Sequence, residues 1–362
     1  MSSFFFAEGS RCRVSSSCSI CTGFIGLSAV SSTFSSSLIP ASCEERFFAA
    51  FSVRLLEDTV KVGPWGALDG QARDVNIGSR PQRLKTITIS WGWDFENARI
   101  IGISFVYVDQ EDQPVLVGPW GKIDPQLSQT IEMTQEDQLN CVSGTLDDSA
   151  GITSLQLIIN QQSYAFGSPA GPAFSVPLPQ GDGDVVAFFG RSDDTLKALG
   201  VYVLEKNGLP VMIGPWGGSG GTPVNITTPV QLKSVTVYSA QSINGFSFTY
   251  VDQNGDSIAT DTWGTTTGGK QTFDLNQGKY VDNIFASFDD DNGVNSLRFT
   301  TNKKNVHGPY GRLSGTVFSV PLPDKAVVGN HNGAVVGFFG RSGGDGLVAL
   351  GVYVGLAPNP EP

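Results

Sequence analysis

The stretch Val335–Val354, VVGFFGRSGGDGLVALGVYV, restates an earlier one, Val185–Val203, VVAFFGRSDDTLKALGVYV. An internal duplication constrains a fold strongly, because one chain must solve the same packing problem twice. Each copy is a pair of runs rich in β-branched and aromatic residues around a short polar turn, the pattern of a β-hairpin. Apolar residues on both faces of each run predict strands buried in a core rather than laid along a surface. Only the turn differs: Ser192-Asp193-Asp194-Thr195-Leu196-Lys197 in one copy, Ser342-Gly343-Gly344-Asp345-Gly346-Leu347-Val348 in the other. A kept scaffold with a changed loop is where a site is expected.

The duplication reaches well beyond the hairpin. Val62-Gly63-Pro64-Trp65-Gly66 returns as Ile213-Gly214-Pro215-Trp216-Gly217, Tyr107-Val108-Asp109-Gln110 as Tyr250-Val251-Asp252-Gln253, and Ser175-Val176-Pro177-Leu178-Pro179 as Ser319-Val320-Pro321-Leu322-Pro323. These spacings predict a Ser-rich N-terminal extension at 1–58, a first domain at 59–204, a turn-rich linker at 205–210, a second domain at 211–355 and a tail at 356–362. Leu84–Ile89 and Leu232–Val237 alternate apolar and polar at period two, and Gly, Asn, Asp and Pro punctuate such segments throughout. No amphipathic helix stands out, so the prediction is all-β. Gly118-Pro119-Trp120-Gly121 and Gly308-Pro309-Tyr310-Gly311 repeat the same phrase inside each domain, which predicts a smaller internal pseudo-symmetry.

Composition narrows the partners. A formal net charge of −11 disfavours nucleic acid and anionic membrane surfaces, which demand basic patches. No apolar run reaches the length of a membrane-spanning helix. Four of the five cysteines (Cys12, Cys18, Cys21 and Cys43) precede the repeats, leaving Cys141 alone within them. Domains without disulfides suit a reducing compartment, so a cytoplasmic or nuclear location is expected. The Ser-rich, acid-poor extension would redirect the chain to an organelle or the secretory route if it acts as a targeting peptide.

Taken together, Gly214–Gly221, Phe248–Gln253, Phe318–Pro321 and Gly337–Gly343 resemble the mannose-binding branch of the jacalin-related lectins, in the family's order. The resemblance implies tandem β-prism domains, each of three four-stranded Greek-key sheets. It also implies binding of mannose- or glucose-containing glycans and glycoproteins with no metal, no other cofactor and no catalysis. Assembly into a homo-oligomer is left open.

In that family the sugar lies at one end of the prism, between a Gly-rich loop after the first strand and a Gly-x-x-x-Asp turn near the C-terminus. Glycines let backbone N–H groups come close to a ligand, and an ionised Asp accepts charge-assisted hydrogen bonds from sugar hydroxyls. Carried over, the resemblance assigns Gly217, Gly218, Gly220 and Gly221 to the loop of the second domain. It assigns Gly344, Asp345, Gly346, Leu347 and Val348 to that domain's turn. This turn has one extra residue, so the Asp position falls on Val348, and Asp345 is the candidate replacement. In the first domain the loop Gly66-Ala67-Leu68-Asp69-Gly70 keeps only its outer glycines. Gly70, Asp193, Asp194 and Lys197 are its secondary candidates, with Lys197 at the Asp position. Losing a charge-assisted bond costs about 1.5–3 kcal/mol. The second domain is therefore the expected glycan binder, and two degenerate prisms serving as a protein-interaction or structural module are the alternative.

Other motifs have more ordinary readings. Asp289-Asp290-Asp291-Asn292 offers adjacent carboxylates without the opposed pair that glycoside hydrolysis needs, and reads as a solvated loop. Asp252-x-Asn254-x-Asp256 begins like a calcium loop but lacks its Gly and terminal Glu. His307 and His331 fall in separate loops, with no nucleophile arrangement around them. Trp65, Trp120, Trp216 and Trp263 read as core wedges rather than sugar platforms.

Overall fold

The computed structural model describes residues 59–358 apart from 77, 95–96, 148–150, 180–182, 206–207, 277, 291–292, 324–331 and 345. The N-terminal extension with its four cysteines, part of the linker, His331 and Asp345 thus lie outside the described residues. Every regular element among the described residues is a β-strand.

The first repeat folds into three four-stranded antiparallel sheets. One has the order Ser128–Glu132, Pro81–Asp94, Asn97–Asp109, Pro114–Gly121; another runs Ala173–Pro177, Leu139–Asp147, Gly151–Ile159, Gln162–Gly167. Each is a Greek key, three hairpin-linked strands with the fourth returning beside the first. The remaining sheet, Gln71–Arg73, Asp184–Ser192, Leu196–Leu204, Thr59–Gly66, has the same order but draws its strands from both ends of the repeat. The duplicated hairpin therefore closes the prism, which explains its apolar residues on both faces. One face fills the core through Phe188 and its partner Val201; the other carries Phe189 and Tyr202, packed edge to face at 5.7 Å beneath the Lys61 side chain. The second repeat has the same plan, with two of its sheets joined by the single pairing of Val281 with Val335.

The internal pseudo-symmetry is threefold. In each prism every sheet contributes a buried aromatic followed by a glycine: Trp65-Gly66, Trp120-Gly121 and Phe166-Gly167, then Trp216-Gly217, Trp263-Gly264 and Tyr310-Gly311. All six glycines have positive φ, and the four Gly-Pro phrases preceding such aromatics are cis. The four tryptophans read as core wedges are buried. Gly217 shows why glycine is needed: its φ is +126° and a Cβ there would stand 2.4 Å from the Val348 carbonyl oxygen. Gly217→Ala should destabilise the protein by about 1–3 kcal/mol from backbone strain alone, read as a lower urea midpoint.

The two prisms meet about an approximate twofold axis. Thr59–Gly66 packs on Thr316–Pro321 while Val211–Gly217 packs on Ala173–Pro177, and the last strands of the two pairs also touch each other. The hydrogen bonding is less symmetric. The Trp65 indole N–H donates to the Ser319 hydroxyl at 3.1 Å, whereas the matching N–H of Trp216 is buried with no partner among the described residues.

Candidate functional site

Loops from all three sheets of the second prism converge at one of its ends. The Gly-rich loop leaves Val211–Gly217, and its first amide, on Gly218, donates to the Val348 carbonyl at 3.0 Å. A Cβ on Gly218 would lie 2.5 Å from the Asp290 carbonyl oxygen, and one on Gly221 would lie 2.4 Å from that of Ser342. Backbone from three directions meets where only glycine fits. Arg341 holds the loop in place, its Nε donating to the Gly220 carbonyl at 2.6 Å and its Nη2 to that of Gly221 at 2.9 Å.

The turn opposite hangs on a β-bulge. Arg341 pairs with Ala349 and Ser342 with Leu347, which leaves Val348 unpaired. In the first repeat Arg191 pairs with Ala198 and Ser192 with Leu196, which leaves Lys197 unpaired. A bulge re-aims the side chain of its extra residue. The position assigned to the family Asp is thus the bulge residue in both repeats, turned toward the loop. Val348 carries its methyl groups into the hollow between Gly218, Gly221 and Gly343, 3.2–3.3 Å from where Cβ atoms on those residues would stand.

Loop and turn border a cleft of about 910 Å³. Of the residues assigned from sequence, Gly220, Gly221, Gly344, Gly346, Leu347 and Val348 line it; Gly217 and Gly218 support it from behind, and Asp345 lies outside the described residues. The remaining walls come from the other two sheets: Gln241 and Ser242 from one, Asp289, Asp290, Asn295, Arg312 and Ser314 from the other. Asp289 and Asp290 form a wall of the cleft, Asp290 exposed there as the solvated-loop reading expects, while Asp291 and Asn292 lie outside the described residues. Asn295 is buried, and its Nδ2 donates to Asp289 Oδ2 at 2.7 Å and to the Ser314 carbonyl at 3.2 Å, tying that wall together. The acidic run was the sequence signal for this wall. Gln241 and Arg312 carried none.

The first repeat brings its candidates together differently. Lys197 Nζ lies 3.6 Å from Asp69 Oδ2, Asp193 Oδ1 accepts the Gln71 amide at 3.2 Å, and Lys122 Nζ lies 3.3 Å from Asp194 Oδ2. Loop and turn are thus cross-linked by their own charges, beside Gly70, whose Cβ position would be 3.3 Å from Lys197 Cγ.

Elsewhere, Asp252 Oδ1 accepts the amides of Asn254 and Asp256 at 2.9 and 3.0 Å, so the calcium-like triplet is an Asp-capped hairpin loop. Among the described residues, no cluster of three or more His, Cys, Asp or Glu side chains could hold a metal ion. His307 stacks on Phe273 at 4.0 Å, where burial holds its pKa below the ordinary value, and it does not line the cleft. Cys141 is free, and burial raises its thiol pKa.

Two tandem β-prisms, each gathering loops of all three sheets at one end, define the class. The Jacalin-like lectin domain family model matches residues 62–202 and 213–353, and the chain belongs to that family. A mannose/glucose-specific lectin of Parkia pendula is 31% identical over 318 residues, covering 82% of this chain and 65% of the relative. The chain thus spans just under two thirds of that lectin's length. Horcolin of Hordeum vulgare is 37% identical over 150 residues, 40% of this chain and 97% of its own. A mannose-binding jacalin-related lectin of Ananas comosus is a solved structure 32% identical in sequence, covering 41% of this chain and 98% of its own with a TM-score of 0.36.

Proposed function

We propose that the protein binds mannose- or glucose-type glycans without a metal and without catalysis, mainly through the second repeat. The cleft between Gly218–Gly221 and Gly343–Val348 carries this reading. Its lining offers closely approachable backbone, hydroxyls of Ser219, Ser242 and Ser314, the Gln241 amide and the Asp290 carboxylate. Convergent polar groups of this kind suit a ligand made mostly of hydroxyl groups. The mannose/glucose specificity named for the Parkia lectin supports the choice of sugar.

Gly220 offers a clean test, because a Cβ there meets nothing within 4 Å. Gly220→Leu should leave the unfolding midpoint unchanged while filling the cleft mouth. Calorimetric titration of the full chain with methyl α-mannoside and a branched trimannoside should show binding that this variant loses. The second reading, a protein-interaction or structural module, draws on Val348 and Lys197 at the Asp positions. Folded wild-type protein silent toward both sugars would favour it.

A further inference from the structure

The first repeat carries an aromatic surface that its own core does not use. In the second repeat the hairpin after the Gly-rich loop stops at the pairing of Ser239 with Ile243, and Gln241-Ser242 at its tip line the cleft. The matching ladder of the first repeat, aligned through Gly102 and Gly245, passes the equivalent pairing of Trp91 with Ile100. It then adds three more: Gly92 with Arg99, Trp93 with Ala98 and Asp94 with Asn97. Three extra pairs carry the strands about 10 Å beyond the end of the ladder in its sister.

Side-chain parity settles which way Trp93 faces. Residues two apart share a face, as do directly paired residues. Trp93 therefore shares a face with Trp91, Ala98 and Ile100. Ala98 and Ile100 are buried, and Trp91 lies against Phe166 at 5.7 Å. This is the face turned toward the prism. Trp93 continues it past the point where the prism has anything left to pack, and is 68% exposed, its side chain with no ring contact or hydrogen bond among the described residues. The overhang is anchored at its base, where the Ser168 amide donates to the Ala98 carbonyl at 2.8 Å. It also springs from the end of the prism that bears the Asp193–Lys197 turn: the position a Cβ on Gly121 would take lies 2.1 Å from the Ile101 carbonyl oxygen and 3.0 Å from the Leu196 nitrogen.

We infer that Trp93 is a stacking platform for the C–H face of a pyranose ring, giving the first repeat a glycan contact distinct from the polar cleft of the second. The inference rests on the glycan-binding reading above. One indole held on an anchored ladder matches a sugar in size, while a protein partner would need several such anchors around it. Asp69 and Lys197 at this end pair with each other, and Trp93 adds beside them an aromatic contact that the lining of the second cleft does not include.

The test uses the full chain. Trp93 is the single exposed tryptophan of six, so iodide quenching of emission reports chiefly on it. Saturating mannotriose should protect that emission in the wild type, and Trp93→Ala, which lacks the fluorophore, should lose most of the quenchable signal with or without sugar. Calorimetry should show a second, weaker binding event, weakened about two- to ten-fold or lost in Trp93→Ala and retained in Trp93→Phe. A wild type that binds mannotriose with one event and unprotected Trp93 overturns the platform and leaves the cleft reading standing. A wild type that binds no mannotriose overturns both.

Discussion

Val348→Asp should tighten mannoside binding by about ten- to a hundred-fold. Val348 is the unpaired residue of the bulge, half-buried against Gly218, Gly221 and Gly343 at the edge of the cleft. Asp is close to Val in shape, so the hollow accepts it with little repacking. Its carboxylate would face the cleft beside backbone that glycine alone keeps open. Hydrogen bonds to an ionised group contribute about 1.5–3 kcal/mol, and 1.4 kcal/mol is a factor of ten in affinity. Against this stands the field of Asp290 on the neighbouring wall, which favours the low end of the range at low salt. Val348→Asn separates charge from shape and should recover only part of the gain. The gain should also vanish as pH falls through the ordinary Asp range near 4, where the carboxylate takes up a proton. Affinity unchanged in Val348→Asp would mean that the extra turn residue has moved the sugar away from the bulge.

Phe338→Ala should be the most damaging single truncation in the second prism, at about 3–5 kcal/mol. Its ring is fully buried and sits 4.9 Å from Phe246, 5.1 Å from Phe248 and 6.1 Å from Phe299, each edge to face. Phe338 belongs to the closing hairpin, Phe246 and Phe248 to the second sheet, and Phe299 to the third. One side chain thus joins three sheets that share few backbone hydrogen bonds. Total stabilities of 5–15 kcal/mol are typical, so the loss is a large share of what holds the prism. Urea unfolding followed by near-ultraviolet circular dichroism should show it, with Phe338→Leu recovering most of the difference. A shift under 1 kcal/mol would mean that neighbouring rings collapse into the space.

Much of this architecture is legible along the chain. The duplicated hairpin with apolar residues on both faces had to be interior to something, and it closes each prism. The period-two alternation at Leu84–Ile89 and Leu232–Val237 placed Ile87, Ile89, Val235 and Val237 in the core. The Gly-Pro-aromatic-Gly phrases announced an internal symmetry, but with only two such phrases per domain the threefold order stayed hidden. Its third member carries no proline: Ala165-Phe166-Gly167 in one prism, Thr262-Trp263-Gly264 in the other. The site was half legible. The glycines could be assigned because their loop is contiguous in sequence. Asp289, Asp290 and Arg312 reach the same cleft from another sheet, and their proximity is set by strand order, which no local pattern encodes. The bulge at Val348 and Lys197 is equally silent, since a one-residue register slip changes pairing without changing composition.

The packing of Thr59–Gly66 on Thr316–Pro321 and of Val211–Gly217 on Ala173–Pro177 makes the two prisms a dimer joined in one chain. Two free prisms would separate as they were diluted. A short tether instead holds the partner at an effective concentration in the millimolar range, whatever the protein concentration outside. Two unlike prism ends are then presented as a fixed set. The tether also frees the sequences from self-complementarity, so Ser319 can serve Trp65 while Ser175, 3.8 Å from the Cys141 sulfur, leaves Trp216 unserved.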